Sequence, residues 1–235
     1  MRIVKSAEVR KQELLATAMQ LFARHGYEQT SINQIIAALN ISKGAFYHHY
    51  SSKEDLVEAL GALYAEEAAA RARSVLEDAS LDAFGRLSMF LSRMRNSKTE
   101  SATELQAVFA PIFLERNRDL YERTQQAVNR VIQPILAKIV AEGVADRTFD
   151  TTDPDAAAET MLHLMASIRP MVAALYAASN EVDIQRAMNR LVARMRYLST
   201  VIDRILGIPE GSIELVDDAS VCIMNDAWRR SSSAA

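Results

Sequence analysis

The sequence predicts an all-α protein, on three observations. The chain holds 7 glycines and 5 prolines in 235 residues, about 5% where roughly 12% is usual, and a β-rich fold needs turn residues far more often than that. Apolar residues recur at steps of three and four along most of the chain. Capping residues stand where those stripes begin and end. With 49% hydrophobic and 24% charged positions, a packed core is expected.

The first stripe, Leu14, Leu15, Ala18, Leu21 and Phe22, marks a helix from about Ala7 to His25, and Gly26 stands where a left-handed cap is wanted. Ser31 opens a second helix, with Gln34 three residues on to complete a capping box. Ile32, Ile35, Ile36 and Leu39 give it a buried side, and Asn40 ends it. Ser42 begins a third, very short helix through His48. Helices of this length joined by Leu39-Asn40-Ile41 have helix-turn-helix proportions, and they need the first helix packed across them because nucleation is costly. Ser52 then caps a long helix reaching about Asp78, with Glu54 and Asp55 in its first turn.

Further helices are expected near Leu81–Asn96, Ala102–Leu114, Asn117–Glu142, Pro154–Ala178 and Glu181–Leu206, with Gly143 as a stop and kinks or breaks at Pro134 and Pro170. Ile213–Trp228 can form one more, and the serine-rich end is expected to fray. No internal repeat or low-complexity tract interrupts this layout.

Charge divides the chain. Residues 1–50 carry six Lys/Arg against three Asp/Glu, net +3, whereas the remainder carries 21 against 27, net −6. Five of the fifteen aromatics also lie in that first fifth. A mildly basic head therefore precedes an acidic body, with expected domains 1–52 and 53–235. Apolar runs fall short of the ~18 residues a membrane span needs, and no apolar signal core follows Met1, so a cytoplasmic protein without membrane contact is expected. A lone Cys222 excludes an intramolecular disulfide and a cysteine-based metal site, and four histidines leave little for a metal centre. No metal and no cofactor is expected.

Gly26-Tyr27, Thr30-Ser31-Ile32, Ile35, Ile41 through Tyr50 and Ser52-Lys53-Glu54-Asp55-Leu56 together closely resemble the DNA-binding domain of TetR-family transcriptional regulators, over about residues 8–56. The remaining ~180 residues resemble that family in helical layout and length. Asn40 stands where the family usually has glycine, but it tolerates the same left-handed conformation. Tyr50 replaces a more common phenylalanine, and Ile36 a small residue.

The short third helix offers Ser42, Lys43 and the bare backbone at Gly44, followed by Tyr47, His48 and His49, polar-tipped groups able to reach phosphates or base edges. Ser31 and Asn33 stand at a helix start, where amides favour a phosphate. The resemblance adds Lys53 as a phosphate anchor. Phe46, about 100° from Tyr47 around the helix, is expected in the core. Each residue taken singly also has a plain surface or core reading, and their joint spacing favours DNA.

In the body, Ile184, Met188, Leu191, Met195, Leu198, Ile202 and Ile205 alternate in steps of four and three. With Met161 and Met165 they are the expected homodimer interface, completing a four-helix bundle with a second chain as the resemblance implies; a thick monomer core is the other reading. Met89, Phe90, Phe109, Phe113, Tyr121, His163, Arg169 and Tyr176 are the candidate lining of a pocket for an unidentified small-molecule effector, with plain core the stronger reading for most of the Met and Phe residues.

The expected function is a sequence-specific DNA-binding regulator, a repressor that binds a pseudo-palindromic double-stranded operator as a homodimer and is released by its effector. The alternatives are a ligand-independent regulator and a helical dimerisation protein acting through protein partners. No phosphate-binding glycine loop, nucleophile elbow or metal ligand set supports an enzyme.

Overall fold

A computed structural model describes residues 6–100, 112–114 and 117–232. Among the described residues all regular structure is helical: α1 Ala7–His25, α2 Ile32–Leu39, α3 Lys43–Tyr47, α4 Lys53–Leu76, α5 Ala83–Glu100, α6 Arg118–Ala145, α7 Pro154–Ala166, α8 Arg169–Ala177, α9 Glu181–Ile205 and α10 Asp218–Ser232. The helix expected over 102–114 lies mostly outside the described residues. The chain divides into two compact units, Met1–Tyr64 with Glu104–Ala127, and Ala65–Thr103 with Val128–Ala235. The first unit thus runs past residue 52 and takes in a later stretch of chain.

In the first unit, Leu14, Ala18 and Phe22 of α1, Ile35 of α2, Phe46 of α3 and Leu56 of α4 are fully buried in one cluster. Burying a side chain of this size is worth roughly 1.5–3 kcal/mol, so this core holds together helices too short to persist alone. The caps expected from sequence are present. Ser31 and Gln34 form a complete capping box, and Asn40 is left-handed at φ 50°, ψ 48°. Gly26 takes φ 81° with ψ 154°, a region open essentially to glycine alone, rather than the helical αL cap. From the later stretch, Ile112, Leu120 and Tyr121 complete the cluster, and Arg123 of α6 forms ion pairs with Asp55 at 2.6 Å and Glu58 at 2.9 Å on α4. Asp55 also accepts from the Ser51 amide and the Ser52 hydroxyl. Desolvation pushes its carboxyl up, but Arg123, Ser52 and Ser51 outweigh it and hold the pKa at about 2.

In the second unit, Leu87 and Phe90 of α5, Ile139 and Val140 of α6, Met161 of α7 and Leu198 and Ile202 of α9 share one core. A second cluster joins Leu175 of α8 to Met188 and Leu191 of α9 and to Val216. The break expected at Pro170 divides residues 154–178 into α7 and α8, because Pro170 has no amide to continue the ladder and sits near the start of α8. Pro134, by contrast, is accommodated within α6. Helix α6 also runs through Gly143 to Ala145. Gly143 is there because the Phe149 ring occupies the space a Cβ would need. Asp203, fully buried, accepts from the amides of Gly211 and Ile213 at 2.7 and 2.9 Å and so ties the turn after α9 back onto that helix.

Candidate nucleic-acid interface

Helix α3 is five residues long, and its two faces are chemically opposite. Phe46 is fully buried and Tyr50, just beyond the helix, is 5% exposed, their rings packed together in the core. Ser42, Lys43, Gly44, Tyr47 and His48 are exposed, and His49 partly so. Tyr47 is 54% exposed, its ring set edge-on against Phe46 at 5.3 Å between centroids. Burial of Phe46 therefore anchors the helix while the next residue points its phenol outward. The imidazoles of His48 and His49 stack edge to face at 5.0 Å. Desolvation, then His48, Arg10 and Lys11, hold the His49 pKa below the usual imidazole range.

Ser42 caps α3 by accepting from the Ala45 amide at 3.2 Å. Gly44 needs no explanation from inside the chain, since its φ is not positive and an added Cβ would meet only the Ser42 hydroxyl at 3.9 Å. Nothing in the fold requires glycine there. At the start of α2, the Ser31 amide and hydroxyl both donate to the Gln34 side chain, at 2.6 and 3.0 Å. The Ser31 side chain is thus committed to its cap, and exposed Asn33 is the freer polar group.

Lys53 is placed differently from the others. Its ammonium donates to the carbonyl oxygens of Tyr27 at 2.6 Å and Thr30 at 3.0 Å, and lies 4.1 Å from the centre of the Tyr27 ring. Tyr27, Thr30 and Glu54 carry the family resemblance, but sequence reasoning missed the hydrogen bonds by which they support this arrangement. Thr30, 1% exposed, donates to the carbonyls of Gly26 and Leu21, and the Tyr27 hydroxyl donates to Glu54 at 2.9 Å. Arg123 was missed as well, because its partners lie 65 and 68 positions away and no local pattern marks the pairing.

Two family profiles match the chain: one described as bacterial regulatory proteins of the tetR family, over residues 14–60, and one described as the tetracyclin repressor-like C-terminal domain, over residues 83–192. The chain belongs to the TetR family of transcriptional regulators. It is therefore a member of a family of DNA-binding regulators and not of an enzyme family. Among curated proteins it is similar to the transcriptional repressor AcnR of Corynebacterium diphtheriae, 39% identical over 83 residues that make up 34% of this chain and 42% of that one. It is also similar to the transcriptional repressor KstR2 of Mycobacterium tuberculosis, 32% identical over 76 residues, 32% of this chain and 38% of the relative. The chain thus spans less than half the length of these relatives. Among solved structures, a TetR-family regulator from Pectobacterium atrosepticum superposes with a TM-score of 0.57 at 22% identity, covering 83% of this chain and 95% of that one, a likeness of fold.

Within this TetR-family chain, the residues expected at a subunit interface are covered by the chain itself. Met161, Ile184, Met188, Leu191, Leu198 and Ile202 are at most 7% exposed, and Met165, Met195 and Ile205 pack against the same cores. The seam read from sequence is interior, because periodicity reports which face is apolar and not what covers it. On α9 the outward residues are instead Val182, 68% exposed, and Tyr197, 61% exposed, with Arg186, Asn189, Arg190 and Ala193.

The expected pocket residues are divided between the two units. Phe113 and Tyr121 pack ring to ring, 5.6 Å apart, in the core of the first unit. Phe90 is core in the second unit, while Met89 and His163 are exposed. Arg169 and Tyr176 are partly buried on α8, and burial pushes the Tyr176 hydroxyl up to about 12. Phe109 lies outside the described residues. A shallow cleft between α8 and α9 is lined by Pro170, Met171, Ala174, Ala187 and Arg190, none of them among the eight. Among the described residues, no group of three or more His, Cys, Asp or Glu could hold a metal ion, and no helix is long and apolar enough to cross a membrane.

Proposed function

We propose that this TetR-family chain is a transcriptional repressor that binds a pseudo-palindromic operator as a homodimer and releases it when a small molecule binds the second unit. The observation that carries the reading is the two-sidedness of α3. Phe46 is sealed in the core while Ser42, Lys43, Gly44, Tyr47 and His48 face outward, which is what a helix entering a major groove requires. Asn33 and Lys43 position the head on phosphates, and Tyr47, His48 and His49 reach phosphates or base edges. The net +3 of residues 1–50 is small for a sequence-blind DNA coat. Two heads spaced by one duplex turn, about 34–36 Å, supply the missing affinity.

The dimer forms through the outward face of α9, where Val182, Ala193 and Tyr197 share one side of the helix, beside the exposed Ala174 and Ala177 of α8. Release requires an effector that binds the two head spacings with different affinity, because one indifferent to spacing would shift nothing. A second reading, regulation without an effector, is favoured by the packing of Phe90 into the core of the second unit and of Phe113 and Tyr121 into that of the first.

Selection of bound sequences from random duplex DNA tests the proposal. The expected result is an inverted repeat whose half-sites lie one turn apart, lost with Tyr47→Ala while the variant's melting temperature is unchanged. Enrichment of a single half-site would overturn the dimer, and no enrichment would overturn DNA reading itself.

A further inference from the structure

Asp55, in the first turn of α4, fastens the chain that leaves α3. Its Oδ2 accepts from the Ser51 amide at 2.8 Å, and its Oδ1 accepts from the Ser52 hydroxyl at 2.8 Å. Ser51 follows Tyr50, whose ring packs on Phe46 of α3, so Asp55 fixes the backbone just beyond His48 and His49. Glu58 stands three residues on, on the same side of α4. These two carboxylates are only 26% and 25% exposed, and one guanidinium serves both. Arg123 donates from Nη2 to Asp55 at 2.6 Å and from Nε to Glu58 at 3.1 Å. It comes from α6, outside the profile matched over residues 14–60.

We infer that Arg123 is a positioning residue of the DNA-reading head: by holding Asp55 and Glu58 together it fixes the α3–α4 turn, and with it the direction in which α3 presents Tyr47, His48 and His49, without itself touching the duplex. This rests on the DNA-binding reading above. Without the guanidinium, two like charges one helical turn apart repel each other, and Asp55 turns toward water and away from the Ser51 amide. Phe46 and Tyr50 remain buried and keep α3 on the core, so what is lost is aim. A head loosened in this way keeps its general attraction to phosphates but separates sequences less well, because reading base edges needs register and non-specific attraction does not. The cluster of one cation and two carboxylates is net negative, which gives a phosphate no reason to approach Arg123.

The test compares full-length wild type, Arg123→Gln, and a charge-swapped pair that combines Glu58→Arg with Arg123→Glu. The swap again sets one cation between two carboxylates and leaves the net charge of the chain unchanged. Affinity is measured for the duplex recovered by selection and for a random-sequence duplex at the same salt, and amide hydrogen exchange over residues 48–52 is measured in the free protein. In Arg123→Gln the ratio of selected to random affinity is expected to fall about tenfold, the cost of a lost charge-assisted hydrogen bond. Random-duplex affinity stays at the wild-type level, exchange at Ser51 accelerates, and the swapped pair recovers most of the ratio. Equal losses on both duplexes, or a swapped pair that discriminates no better than Arg123→Gln, would overturn the proposal. Should Arg123→Gln fail to fold, the swapped pair decides alone, near-wild-type discrimination supporting the role and its loss refuting it. Should selection recover no duplex, the DNA reading fails while exchange still decides whether Arg123 holds the turn, unchanged exchange at Ser51 refuting it.

Discussion

At the scale of single residues, the DNA-facing surface is a matter of which side chain the core claims. Phe46 and Tyr47 are neighbours in sequence, yet one is sealed and the other is 54% exposed, and that split was legible because the helical period puts them ~100° apart. The inward hydrogen bonds of Lys53 were not legible, since its carbonyl partners lie 26 and 23 positions away and carry no side-chain signature. His49 yields a prediction with two opposite signs. Its pKa is held below that of a free imidazole by desolvation, then by His48, Arg10 and Lys11, so it is neutral at neutral pH. A phosphate beside it raises that pKa, so operator binding takes up a proton and affinity increases as pH falls from about 8 to 6. The free protein behaves oppositely. The unfolded chain protonates near the ordinary value of ~6.5, above the folded one, so folding stability from this site declines as pH drops below that value. In His49→Gln both slopes flatten, measured by DNA titration and by melting across the same pH range. A pH-dependence of affinity identical to wild type would remove His49 from the interface.

At the scale of elements, helix starts were read well because caps are local chemistry. Ser31 with Gln34 three residues on needs only its own turn to form, and Asn40 was expected at the left-handed stop it occupies. Helix ends and coverings were read less well, because they depend on distant chain. Gly143 looks like a stop in sequence but lies inside α6, required by the Phe149 ring packed against it. Gly143→Ala is accordingly expected to destabilise by about 1–3 kcal/mol, seen as a Tm lower by roughly 2–10 °C. Gly44→Ala, in open space, should leave the Tm unlowered and act only on DNA affinity. Equal thermal effects of the two would mean that the Phe149 contact is not what holds Gly143. The α9 seam carries the same lesson. Its spacing correctly marked Met188, Leu191 and Leu198 as buried, but a stripe of apolar residues looks alike whether α8 or a second chain lies over it.

At the scale of the whole molecule, the division expected near residue 52 and the division observed differ for a physical reason. Composition and charge change where the motif ends, whereas packing continues to Tyr64 and then draws on Glu104–Ala127. Ile112, Leu120 and Tyr121, each at most 9% exposed, close the core that Phe22 and Phe46 begin, and Arg123 secures the turn between α3 and α4 through Asp55. The recognisable DNA-binding motif is therefore expected to need that later stretch to fold stably. Cutting the gene after codon 64 would preserve every signature letter while removing the floor of the structure they stand on. Such a fragment is expected to give a weak, broad melting transition and poor dispersion of its backbone NMR signals, and adding residues 104–127 back as a separate peptide is expected to sharpen both. A fragment that melts cooperatively by itself would show that the borrowed stretch is ornamental. For this chain, grafting a new reader onto the old regulator means transplanting two separated stretches of gene, and a swap made at the visible edge of the motif leaves the transplant half-rooted.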